Sequence, residues 1–203
     1  AVPEIFHELE TPGAAIPYDQ AGAERGNSHK TTKELASYDA DAVAAAGLLK
    51  GHPACTGALG TLGICIGGHL SFRAAIVVPE IRAAVCFYAT DIHKRGLAKG
   101  KNDDTLARCG EIKAELLMIW GRQDPHIPRE GRQLIYHAIN EAQLNYTWHE
   151  FNGQHAFIRD EGYRYDPALQ FQCYTLALEL FNRRLHLGDQ PLVTTGAPGE
   201  TRH

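Results

Sequence analysis

Gly63-Ile64-Cys65-Ile66-Gly67-Gly68 reads as the end of a strand running into a sharp turn with a cysteine at its tip. Ala58, Leu59, Leu62 and Ile64 form an apolar run before the cysteine, and Leu70, Phe72, Ala74, Ala75, Ile76 and Val77 read as a buried helix after it. Cys65 therefore stands at a strand-to-helix junction. A nucleophile elbow needs small residues two before and two after the nucleophile, because the tight turn brings strand and helix backbones together. Gly63 and Gly67 hold those positions. A thiol there also faces a helix N-terminus, whose partial positive charge favours thiolate.

Three further runs resemble strands: Ala83 to Tyr88, Glu115 to Trp120 and Asn145 to Phe151. The first two, like the run before Cys65, are continuous and apolar, as buried parallel strands are. Between the runs lie a polar segment near 91–112 and a helix opening at Pro128, so strand and helix alternate. Asp166 and Pro167 read as the N-cap and first residue of a last helix, carrying Leu169, Cys173, Leu176, Ala177, Leu180 and Phe181 on the sheet side. Before the elbow, residues 11–30 are rich in Gly, Pro, Asp and Asn and read as a surface loop. Thr31 to Glu34 match a capping box that opens a helix through Leu35, Tyr38, Ala42, Val43, Ala46 and Leu49, closed at Gly51. Residues 1–187 are thus expected to form one α/β domain, and residues 188–203, lacking periodicity, a disordered tail.

Composition narrows the function classes. A net charge of -4 leaves no basic footprint for nucleic acid, and no apolar stretch nears the length needed to span a bilayer. A small-molecule substrate and a cytoplasmic location are expected, with no membrane or nucleic-acid partner; the oligomeric state is left open. Five cysteines without CxxC spacing argue against a disulfide framework or structural zinc, and the histidines His126, His149 and His155 match no metal-binding spacing. Neither metal nor organic cofactor is expected. The glycines around Cys65 do not form GxGxxG, and no Lys follows them as a phosphate-binding loop requires.

A thiol nucleophile needs a base, and the base needs a group that fixes its tautomer. Asp124 follows the strand ending at Trp120, and His155 follows the strand ending at Phe151. Parallel α/β sheets collect their sites at such carboxyl ends, so Cys65, Asp124 and His155 are expected to converge. Their order along the chain is that of α/β hydrolases.

The chain resembles the dienelactone hydrolase family, cysteine members of the α/β-hydrolase fold, from about Ala1 to Leu185. Gly63, Cys65, Gly67, Gly68 and His69 at the elbow carry the resemblance, with Gly121, Gln123, Asp124, Pro125 and Pro128, then Gly153, His155, Phe157 and Arg159. It implies a mostly parallel sheet flanked by helices and hydrolysis of an ester or enol-lactone. On this reading Cys65 attacks the carbonyl, the Ile66 backbone N–H supplies one oxyanion donor, His155 relays protons, Asp124 orients it, and water releases a thioester. Arg159 and Tyr88 are assigned to the substrate, Arg159 to a carboxylate that would make it anionic. His69 is expected to pack or support the site. The family places a second arginine where Glu8 stands, and Arg25 is the nearby cation that would offset this carboxylate.

The family fold has about three strands before the segment matching Ala1, carrying the second oxyanion donor. Ala1 in place of an initiating methionine, with Met118 the only methionine, leads to the expectation of a fragment lacking those strands. An intact mass of the natural protein equal to 22.3 kDa would contradict it. The competing readings are a non-catalytic relative that binds a small acid or a protein partner, and thiol redox chemistry at Cys65.

Overall fold

A computed structural model describes residues 1–186; the tail expected at 188–203 lies outside them. Four parallel strands, β1 (Leu59–Ile64), β2 (Ile81–Phe87), β3 (Glu115–Gly121) and β4 (Tyr146–Phe151), pair in the order β1-β2-β3-β4. The apolar runs of β2 and β3 occupy the centre, where both faces are covered: Val85, Cys86, Phe87, Leu116, Met118 and Ile119 are fully buried. Removing a large apolar side chain from water stabilises the fold by roughly 1.5–3 kcal/mol, so these strands anchor the core.

Helices flank the sheet. The helix Ile66–Val77 packs on β1 and β2, and the helix Leu35–Lys50 packs on it in turn. The helix Arg129–Glu141 begins after Pro128, and Pro167–Phe181 begins on Asp166, whose Oδ1 accepts from the Ala168 and Leu169 amides at 3.0 Å. Gly60 in β1 marks where this last helix crosses the sheet: a Cβ there would lie 2.8 Å from a Leu185 methyl and 3.0 Å from the Phe181 ring.

The region before the elbow departs from the sequence reading. Residues 20–30, expected within a loop, belong to a helix, Gln20–Thr32, started by Asp19, whose side chain accepts from the Gly22 amide at 2.7 Å. It is polar on nearly every side, with Gly22 its one buried residue, so no apolar period announces it. The capping box also fails. Thr31 closes this first helix, where its hydroxyl donates to the Asn27 and Ser28 carbonyls, and Glu34 caps the next without a side-chain bond. In chain order the helices are α1 (Gln20–Thr32), α2 (Leu35–Lys50), α3 (Ile66–Val77), α4 (Arg129–Glu141) and α5 (Pro167–Phe181).

Residues 1–4 form no strand. Residues 5–9 are tied to the α1–α2 junction by Lys33, whose fully buried ammonium donates to the Ile5 carbonyl at 2.8 Å and to Asp41 at 2.6 Å. β1 is an edge strand with Leu62 and Ile64 part-exposed, and a cleft of about 480 Å³ runs along it beneath α2 and residues 1–5. Cys65, Asp124 and His155 do not line that cleft.

Candidate active site

Parallel register aligns the carboxyl ends of the strands. Ile64 pairs with Phe87, Phe87 with Ile119, and Gly121 with Phe151, so the residues just beyond them emerge on one edge. Cys65 sits there at φ +60° and ψ -119°, outside the regions that side chains prefer. Its amide donates to the Phe87 carbonyl at 3.0 Å, holding the turn against β2. Gly63 permits the turn, since a Cβ on it would lie 1.7 Å from the Gly67 carbonyl oxygen. Gly67 itself meets nothing within 4 Å; the second close approach is at Gly68, 2.7 Å from the Phe87 carbonyl oxygen. The small-residue requirement after the cysteine therefore falls three residues on, not two.

The loops after β3 and β4 are locked together. A Cβ on Gly121 would lie 2.5 Å from the Gly153 carbonyl oxygen, and that oxygen accepts from the Gln123 amide at 3.0 Å. This contact sets Asp124 beside His155. His155 Nδ1–H donates to Asp124 Oδ2 at 2.7 Å, and Nε2 lies 3.3 Å from Cys65 Sγ. The other Asp124 oxygen accepts from the His126 amide at 2.8 Å, so both carboxylate oxygens are occupied. The three residues expected to converge do so.

The electrostatics follow from this geometry. Burial alone would raise the Cys65 thiol, but the hydrogen bond and charge of His155, the Thr90 hydroxyl and the Ile66 amide outweigh it and bring the thiol below its usual range. Burial would lower His155, and Asp124 together with Cys65 lifts it to about 9. Asp124 is buried, which raises its carboxyl, yet His155 and the His126 amide hold it below the usual carboxylate range. The arrangement favours a thiolate–imidazolium pair.

Tyr88 is fully buried, its ring edge-on to His155 with centroids 5.0 Å apart, and its hydroxyl has no hydrogen-bond partner among the described residues. Its backbone is strained at φ +32°. Arg159 shares no hydrogen bond with Cys65, Asp124 or His155; its guanidinium stacks on Tyr18 at 4.2 Å and its Nε–H donates to the Glu161 carbonyl at 3.1 Å. Arg25 does not offset Glu8. It pairs with Glu10, which also holds His29, while Glu8 accepts from the Ser37 hydroxyl.

Two neighbours were not expected from sequence. Thr90 places its hydroxyl 3.8 Å from Cys65 Sγ, and the His126 ring stands edge-on to His155 with centroids 4.7 Å apart. Thr90's only signal is its place just past the end of β2. His69 reaches the Thr90 carbonyl from α3. Among the described residues no group of three or more His, Cys, Asp or Glu is arranged to hold a metal ion, and no helix is long and apolar enough to cross a membrane. The other four cysteines are free thiols, and burial raises Cys86 and Cys173 to about 12.

A parallel sheet whose strand ends bring together a cysteine on an elbow, a histidine and a carboxylate, in that contact order, has the architecture of the α/β hydrolases. The dienelactone hydrolase family model matches residues 2–185, and the chain belongs to that family of hydrolases. It is 38% identical over 205 residues to a Saccharomyces cerevisiae protein named "Putative carboxymethylenebutenolidase", covering 98% of this chain and 74% of that protein. A metagenomic protein described as a dienelactone hydrolase-like promiscuous phosphotriesterase shares the fold at TM-score 0.62 and 19% identity, over 81% of this chain and 66% of its own. Pyrococcus horikoshii acylaminoacyl peptidase matches at TM-score 0.66 and 18% identity, over 86% of this chain and 31% of its own. The chain thus spans less than two thirds of the length of both solved structures.

Proposed function

We propose that this chain carries the site of a cysteine-dependent hydrolase acting on an ester or lactone, with carboxymethylenebutenolidase-like activity. The observation that carries the reading is the continuous contact from Cys65 Sγ through both His155 nitrogens to Asp124, at 3.3 and 2.7 Å. The Cys65 thiolate attacks the carbonyl carbon, forming a C–S bond as the carbonyl oxygen takes the negative charge. The Ile66 amide, which lies against the sulfur, donates to that oxygen. On collapse the C–O bond breaks and the leaving oxygen takes the proton from His155 Nε2. Water, giving its proton back to His155, then attacks the thioester, and the thiolate departs as the acid product forms. Asp124 fixes the ring so that Nε2 faces the sulfur throughout.

Arg159, steadied on Tyr18, supplies the cation for a substrate carboxylate; Tyr88, expected at the substrate, is fully buried and instead packs edge-on against His155. Arg159→Ala is expected to raise KM about tenfold for a carboxylate-bearing lactone, and less for a neutral ester. Equal effects on both substrates would remove Arg159 from carboxylate recognition. The primary test is hydrolysis of a p-nitrophenyl acyl ester: Cys65→Ala is expected to lower kcat by about 10⁴-fold or more. Unchanged turnover in that variant would remove Cys65 from the mechanism and favour a non-catalytic binding role.

A further inference from the structure

Beneath the elbow lies a second buried histidine–carboxylate pair. His69, one turn past Cys65 on α3 and 1% exposed, donates from Nδ1 to the Thr90 backbone carbonyl at 2.8 Å. That nitrogen carries the proton, because a carbonyl only accepts. Its Nε2 lies 3.1 Å from Thr105 Oγ1 and 3.4 Å from Asp103 Oδ2. Asp103 is itself fixed, accepting from the Thr105 amide at 3.0 Å and the Leu97 amide at 3.3 Å. Burial would raise its carboxyl, but His69 and Thr105 hold it down to about 2.

The backbone this pair grips is strained. Tyr88 at φ +32° and Asp91 at φ +66° lie on either side of Thr90, and such backbone persists only where its surroundings hold it. The holding contacts are the Tyr88 amide to the Ile119 carbonyl at 2.6 Å, the Thr90 amide to the Cys65 carbonyl at 3.3 Å, Lys30 to Asp91 at 2.6 Å, and His69. The His69 contact grips Thr90 itself, the residue whose hydroxyl faces the sulfur. We propose that His69, backed by Asp103, is a positioning residue that pins the Thr90 peptide so that its hydroxyl donates to the Cys65 sulfur. This rests on the reading of Cys65 as a thiolate nucleophile. A pinned hydroxyl stabilises the charged sulfur; a loose one is free to turn to water.

The test is the pH midpoint for iodoacetamide alkylation of Cys65 in the full chain, for wild type, His69→Gln, Thr90→Val and the double variant. A glutamine amide does not span all three partners of His69, the Thr90 carbonyl, Thr105 and Asp103, so the pin loosens; valine removes the hydroxyl but keeps the peptide. Each single variant is expected to raise the midpoint by roughly half to one pH unit, and the double by no more than the larger single shift, since both act through one hydrogen bond. Near-ultraviolet circular dichroism establishes that each variant is folded. Asp103→Asn, which keeps the side chain's shape, carries the same expectation should His69→Gln fail to fold. An unmoved midpoint in a folded His69 or Asp103 variant, or additive shifts in the double, would overturn the proposal. A wild-type midpoint no lower than an ordinary thiol's would instead overturn the nucleophile reading on which it rests.

Discussion

At the scale of single residues, the site is a set of unfavourable backbone conformations held in place by close contacts. Cys65, Tyr88, Asp91 and Ala156 all take positive φ, and all lie in the turns at the carboxyl ends of the strands. Gly63 shows how little room the elbow leaves. Gly63→Ala would drive a methyl into the Gly67 carbonyl, so the elbow must open; we expect turnover to fall at least about 100-fold and stability to drop by several kcal/mol, read by ester hydrolysis and urea unfolding. Normal activity in that variant would mean the turn is looser than described. The Asp124–His155 bond makes stability depend on pH. The raised His155 contributes stability that is complete below its ordinary 6.5 and lost as pH rises through about 9. The depressed Asp124 contributes above its ordinary 3.8 and loses that contribution as pH falls through its lowered value. Asp124→Asn should therefore cost most, about 1.5–3 kcal/mol, between pH 3.8 and 6.5, with the gap in Tm narrowing above about 9, where the neutral ring still donates from Nδ1. A gap independent of pH would contradict the paired geometry. Cys65 and Asp124 were legible in the sequence because each follows a continuous apolar run, and His155 because it follows a β-like run and a glycine. Thr90 and His126 were not, because their nearness to the sulfur and the imidazole is made by turns whose strain leaves no mark in composition.

At the scale of elements, legibility followed apolar patterning. The central strands, the helix after Cys65 and the capped α5 were readable from buried runs and from Asp166-Pro167, and their ends fall within about two residues of expectation. Polar α1 was missed because it lies against the chain mostly through charge: Lys30 to Asp91, and His29 with Arg25 to Glu10. The capping box was misread because Thr31 and Glu34 belong to different helices. The cap at α5 gives a test at this scale. Asp166→Ala removes the acceptor for the Ala168 and Leu169 amides and should cost about 1 kcal/mol in denaturant unfolding, with little change in KM. A change in KM with stability intact would mean that α5 positions the substrate directly.

At the scale of the whole molecule, four parallel strands in sequential order place the cysteine, carboxylate and histidine turns along one edge. The apolar cleft beside β1 reaches the elbow at Gly63, Ile64 and Gly67, but Cys65, Asp124 and His155 do not line it. The fold is shared with proteins described as a peptidase and a phosphotriesterase, so the function of this chain follows from its own turns and not from the fold. The central claim is that Cys65 becomes acylated during turnover. The most direct measurement is acid quenching of the protein in the presence of an excess of p-nitrophenyl acyl ester, followed by peptide mass mapping. The account predicts an acyl group on the peptide carrying Cys65, formed within the first turnover and lost on further incubation. Steady ester hydrolysis with Cys65 unmodified, or an acyl group only on another residue, would contradict it.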